Sequence, residues 1–123
     1  YGAMSFVNEK IWEKRKKKSD KNILFQPNNG LDEQTIRELC SPEFMIKSDS
    51  PPLLLFYGDK DTTVPVENGR YFNDIAKPLK ADVTYVEVKN TGHGFGKSVG
   101  GTASMTPKEI EAMLVEHVFK WVL

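Results

Sequence analysis

The run Leu53-Leu54-Leu55-Phe56-Tyr57 sets the first limit on what this chain can fold into. It is apolar at every position, follows Pro51-Pro52 and stops at Gly58. A strand with one wet face alternates apolar and polar residues, whereas an unbroken apolar run needs cover on both faces. The run is too short for a helix, and its flanking prolines and glycine suit a strand. Buried strands of this kind belong to parallel sheets with helices on either side.

The residues that follow agree with that reading. Asp59 to Pro65, DKDTTVP, is a turn, and Pro65 suits the first position of a helix. Tyr71, Phe72 and Ile75 share a face of that helix, which ends near Ala76 before Pro78. Val83 to Val88, VTYVEV, alternates and forms a second strand. Strand, helix, strand implies a parallel pair with a right-handed crossover. After a glycine-rich loop, Thr106 caps a last helix, Pro107 opens it and Glu109 completes a capping box. Ile110, Met113, Leu114, Val118 and Trp121 form its apolar stripe.

The first fifty residues are less ordered in pattern. Asn8 to Ser19 predicts a short helix carrying Ile11 and Trp12, and the basic run Lys14 to Lys18 reads as its solvated face. Gln26 to Gly30 is a loop by composition. Asp32 caps a second helix, Leu31 is placed to staple onto Ile36, and Ser41-Pro42 ends it. Ser41 to Pro52 reads as an irregular, extended linker. Cys40, the single cysteine, is expected to be buried or half-buried and unreactive. His117 reads as a residue at the border of the apolar stripe, and Met105 and Met113 as packing residues.

Two parallel strands do not make a stable sheet alone. The expected class is therefore α/β, with residues 1–123 forming the later part of a larger domain. Residues 1–50 are its helical and irregular lead-in, and residues 51–123 its strand-helix-strand-loop-helix unit. The strand Leu53 to Tyr57 should carry an open edge that favours association, with another copy or with the rest of the same protein. Lys plus Arg and Asp plus Glu are both 17, so no net charge draws the chain to nucleic acid. The apolar runs are too short to span a membrane, and no leader pattern is visible at the start.

The loop Asn90 to Gly101, NTGHGFGKSVGG, admits three chemistries. Gly96-Lys97-Ser98 resembles the end of a phosphate-binding loop, but that pattern puts Thr91 where its first glycine belongs. Gly96 to Gly100 fits G-x-S-x-G, but no tight strand-turn-helix surrounds Ser98. His93 has a partner that the other two lack. Asp61 follows the first strand and His93 the second, so both fall at C-terminal strand ends, where open α/β sheets hold their sites. An Asp on one imidazole nitrogen fixes the tautomer and stabilises the imidazolium. Spacing alone leaves open that His93 is a solvated turn residue.

The stretch PPLLLFYGDKDTTVPVENGRYF, followed about thirty residues after Asp61 by NTGHGFG, resembles the C-terminal third of α/β-hydrolase-fold esterases and lipases. The resemblance is greatest to the branch of carbohydrate acetyl esterases and feruloyl-esterase-like proteins, related to prolyl oligopeptidase catalytic domains. It is closest over residues 41–123 and looser before them. It implies ester hydrolysis by a serine-acid-histidine triad, with Asp61 as the acid, His93 as the base and Asp59 as a turn residue. The implied substrate is a small-molecule ester, acylated carbohydrates included, and no cofactor or metal is implied. The chain departs from the family in its nucleophile. Ser5, Ser19, Ser41, Ser48 and Ser50 precede Asp61, and none lies in G-x-S-x-G. An oxyanion-hole motif is also absent. The implied serine therefore belongs upstream of Tyr1, unless the chain is a hydrolase-like module without catalysis. A second enzyme reading takes Asp59-Lys60-Asp61-Thr62-Thr63-Val64 as a haloacid-dehalogenase-like signature, with Asp59 as nucleophile and Mg²⁺ required. No later acidic pair follows a strand to hold that metal.

Overall fold

A computed structural model describes residues 2–12 and 30–122. The element order is α1 (Glu9–Trp12), α2 (Glu33–Leu39), a 3₁₀ turn (Pro42–Phe44), β1 (Leu53–Gly58), α3 (Glu67–Ala76), β2 (Val83–Val88) and α4 (Pro107–Val122). The rest of the helix expected from Asn8 to Ser19, the Lys14 to Lys18 run and most of the Gln26 to Gly30 loop lie outside the described residues.

β1 and β2 pair in parallel, Leu53 beside Val83 through Gly58 beside Val88. Alternation along β1 divides the core in two. Leu55 and Tyr57 pack with Ile46, Val66, Phe72 and Ala76 on one side. Phe56 packs with Val88 and Ile110 on the other. Both faces of the apolar run are therefore covered, as its lack of alternation requires. α3 lies so close to the sheet that a Cβ on Gly69 would stand 2.4 Å from the Tyr57 ring. Burial pushes the Tyr57 phenol up to about 12, and its hydroxyl donates to the carbonyl of Gly2, which pins the start of the chain beside β1. Arg70 of α3 forms a two-pronged bond to Glu87 of β2, at 2.8 Å in each prong, and holds that carboxyl down at about 2.

The caps follow the sequence closely. The Asp32 carboxylate accepts from the Thr35 amide at 2.8 Å. The Glu109 carboxylate accepts from the Thr106 amide at 2.7 Å, while the Glu109 amide donates back to the Thr106 hydroxyl at 3.3 Å. α3 starts two residues later than Pro65 predicts, because Pro65 sits in a turn whose carbonyl accepts from the Asn68 amide.

Four expectations need correction. Cys40 is exposed, since α2 buries none of its residues and offers its C-cap nothing to pack on. Leu31 is also exposed, so its staple onto Ile36 buries little. The segment after Ser41 is a tied turn and not an extended linker. Ser41 Oγ donates to the Arg37 carbonyl and accepts from the Phe6 amide, and Glu43 accepts from the hydroxyls of Tyr71 and Ser5. This network binds the start of the chain to α3. Finally, Ile110 of α4 is buried and Met113 packs with it against Phe56 and Val88, but Leu114, Val118 and Trp121 of the stripe are exposed. A sheet of two strands is narrower than the apolar arc of the helix lying on it. Among the described residues β1 pairs only with β2, leaving the expected open edge.

Candidate active site

The turn after β1 is sewn to the end of β2 through the backbone. The Asp59 amide donates to Val88, the Lys60 amide to Thr91 and the Asp61 amide to Gly58. Asp61 is thereby fixed at the C-terminal end of β1. One of its carboxylate oxygens, Oδ1, accepts from the amides of Thr63 and Val64 at 2.8 and 2.9 Å. The other, Oδ2, lies 2.8 Å from Nδ1 of His93. The Asp61 side chain is 1% exposed and that of His93 38%. A carboxylate can only accept, so Nδ1 carries the proton and Nε2 is the basic nitrogen of the neutral ring. The arrangement can orient an imidazole, stabilise its protonated form and offer Nε2 as a base.

The loop carrying His93 is held at both ends. Thr91 is fully buried, and its hydroxyl donates to the Val88 carbonyl at 3.0 Å. The Val99 amide returns to the Asn90 carbonyl at 2.8 Å, beside a bridge between Thr91 and Ser98. Phe95 meets Phe56 edge-on, with ring centroids 6.3 Å apart. Gly94 has φ +89, which requires glycine or strain. The loop needs no such freedom at Gly92. Asn90 and Phe95 take positive φ instead.

Gly58 brings the two halves together. A Cβ there would stand 2.4 Å from the Thr91 carbonyl oxygen and 2.8 Å from that of Gly92. Both contacts are backbone, so Gly58→Ala must push the histidine loop away from β1. The expected result in the full-length protein is roughly a 10²-fold fall in kcat/KM, since small misplacements of reacting groups cost that much. Steady-state kinetics checks this beside Gly69→Ala, which crowds the rings of Tyr57 and Tyr85 and not the histidine loop's carbonyls, and should lower Tm more than turnover.

The other candidates separate cleanly. Ser98 is exposed, joins Thr91 only through a backbone bridge, and is followed by loop until Pro107. It has neither an elbow nor a phosphate-binding helix start next to it. Ser5 and Ser41 are buried in the network that anchors the chain start. Asp59 Oδ1 is buried with no hydrogen-bond partner among the described residues, and Oδ2 lies 3.9 Å from the Lys60 ammonium. Among the described residues no three His, Cys, Asp or Glu side chains gather where they could hold a metal. His117 Nε2 lies 3.4 Å from the Pro52 carbonyl, at the opposite end of β1 from Asp61. Sequence reasoning missed the Thr63 and Val64 amides, Thr91, Phe95 and the close approach at Gly58. An acid followed by Asp-x-Thr spacing, the mark of a side-chain turn, could have found the first of these.

Comparison with known proteins decides the kinship. The BD-FAE family model matches residues 1–75. The chain belongs to the BD-FAE family. The matched stretch includes the first forty residues, where the resemblance was expected to be loose, and it contains Asp61. It ends before β2, so His93 rests on the geometry above. Among curated relatives, the chain is 31% identical over 76 residues to Esterase LipC of Mycobacterium tuberculosis, covering 61% of this chain and 19% of that protein. It is 34% identical over 78 residues to the probable carboxylic ester hydrolase LipM of the same organism, covering 63% of this chain and 18% of that one. The chain thus spans about a fifth of either relative. The thermophilic esterase Est2 of Thermogutta terrifontis superposes with a TM-score of 0.58 at 25% identity, over 71% of this chain and 31% of its own. This member of the BD-FAE family therefore has part of an α/β-hydrolase fold, a parallel pair of strands with flanking helices. No helix among its described residues is long and apolar enough to cross a membrane.

Proposed function

We propose that this chain supplies the acid and the base of a serine-hydrolase site that cleaves carboxylic esters, and that the nucleophile lies upstream of Tyr1 in the full-length protein. Residues 1–123 are then the later part of one catalytic domain. The observation that carries the reading is the 2.8 Å contact between His93 Nδ1 and Asp61 Oδ2, with Asp61 Oδ1 already engaged by two amides. Two amides orient the carboxylate, and its Oδ2 in turn orients the imidazole through Nδ1. Kinship with the esterases above supports the substrate class, a small-molecule ester.

The steps follow from the groups. His93 Nε2 takes the proton of the serine hydroxyl as the oxygen attacks the ester carbonyl. Asp61 stabilises the imidazolium that forms. His93 then returns the proton to the departing alcohol, and water repeats the sequence on the acyl-enzyme.

The test compares the 123 residues with the full-length protein. Loss of a triad nucleophile costs about 10⁶-fold in turnover. Loss of one oxyanion donor costs about 10²- to 10³-fold. The isolated chain should therefore show no hydrolysis of nitrophenyl acetate above background, whereas the full-length protein should cleave it. Ser98→Ala should leave the full-length activity nearly intact. Hydrolysis of phosphomonoesters dependent on Asp59 and Mg²⁺ would favour phosphoryl chemistry instead. Activity toward neither would make the chain part of a non-catalytic module.

A further inference from the structure

The loop that carries His93 leaves β2 and returns toward α4 across a narrow neck. Hydrogen bonds close that neck in pairs. The Lys89 amide donates to Ser104 Oγ at 2.9 Å, and the Ser104 amide returns to the Lys89 carbonyl at 3.2 Å. The Val99 amide donates to the Asn90 carbonyl at 2.8 Å, and Asn90 Nδ2 donates to the Thr102 carbonyl at 2.9 Å. Asn90 therefore grips the return segment twice, at Val99 through its backbone and at Thr102 through its side chain.

Other observations set Asn90 apart. Its φ is +54, a conformation that asparagine, aspartate and glycine tolerate better than most residues. Gly101 lies against its amide, where a Cβ would stand 3.0 Å from Nδ2 and 3.2 Å from Cγ. The return segment is thus shaped around this side chain. The next residue, Thr91, is buried, and its carbonyl accepts at 2.9 Å from the Lys60 amide, in the turn that carries Asp61. Asn90 stands beside the point where the loop of the base meets the turn of the acid.

We propose that Asn90 is a positioning residue for His93: its side-chain amide closes the neck of the loop and so holds the imidazole on Asp61. The proposal rests on the reading that His93 is the base. A carboxamide suits the place because it donates to a carbonyl from a backbone of positive φ. Aspartate shares the backbone tolerance, but its carboxylate has no proton to give and would face the Thr102 carbonyl. Glycine shares the tolerance and has no side chain. The bond to Thr102 is exposed, so its loss loosens the loop and leaves the core folded.

The experiment uses full-length protein carrying Asn90→Asp or Asn90→Gly. Steady-state kinetics with nitrophenyl acetate and thermal melting are joined by nitrogen-15 NMR of the His93 ring, whose signals are assigned by their loss in His93→Ala. In the wild type the neutral ring should show one tautomer, protonated at Nδ1. In both variants the ring should mix tautomers, and kcat should fall by about 10- to 100-fold. KM should hold within about twofold, because Asn90 acts on the base and not on bound substrate. Tm should fall by no more than about 2–4 °C. Asn90→Gly keeps the test readable if the aspartate variant fails to fold. A single His93 tautomer in both variants would overturn the proposal, whatever happens to kcat or Tm. A rise in KM with kcat unchanged would also overturn it, in favour of a substrate contact. Mixed tautomers with kcat and KM both unchanged would uphold the placement of His93 by Asn90 and sink the reading of His93 as the base.

Discussion

Replacing His93 by alanine in the full-length protein is expected to lower kcat/KM for nitrophenyl acetate by about 10⁴-fold or more. The side chain is the only described group positioned by Asp61 to accept a proton at the strand ends. It is 38% exposed and lies on a loop anchored by Thr91 and Phe95, so its removal should leave Tm near the wild-type value. A fall in rate with Tm retained separates chemistry from folding. Full activity in His93→Ala would assign the base to another residue.

Asp61→Asn is expected to cost about 10⁴-fold in kcat while preserving the turn. The amide oxygen can still accept from Thr63 and Val64, as Oδ1 does now. Its NH₂ group then faces Nδ1 and donates to it. That moves the ring proton to Nε2, the nitrogen that must accept, and the imidazole is held in the wrong tautomer. Asp61→Ala differs in a measurable way. It leaves the Thr63 and Val64 amides of a part-buried turn without their acceptor, at about 1–3 kcal/mol each if water does not replace it. Asparagine should therefore lose activity with Tm retained, and alanine should lose both. Equal Tm for the two variants would show that the carboxylate does not hold the turn.

Local patterns with a physical mechanism were readable from the sequence. The unbroken apolar run placed β1, alternation placed β2, and the capping residues Asp32, Thr106 and Glu109 placed their helices. Each of these signals lies within a few residues of the structure it specifies. The site was legible as a juxtaposition, because parallel strands bring successive C-terminal loops together. What escaped depends on contacts between distant segments. The turn at Pro42–Phe44 looks like a linker until Glu43 finds Tyr71 and Ser5. Gly58 looks like a strand end until Thr91 lies against it. The stripe on α4 was read correctly as apolar, but which part is buried depends on how many strands lie beneath it.

The most direct test of the acid–base assignment is the structure of the full-length protein after reaction with a serine-directed phosphonate. One adduct is expected, on a serine upstream of Tyr1, with its Oγ roughly 2.6–3.2 Å from His93 Nε2. Asp61 Oδ2 should still hold Nδ1, as it does at 2.8 Å here. An adduct on Ser98, or on a serine remote from His93, would contradict it.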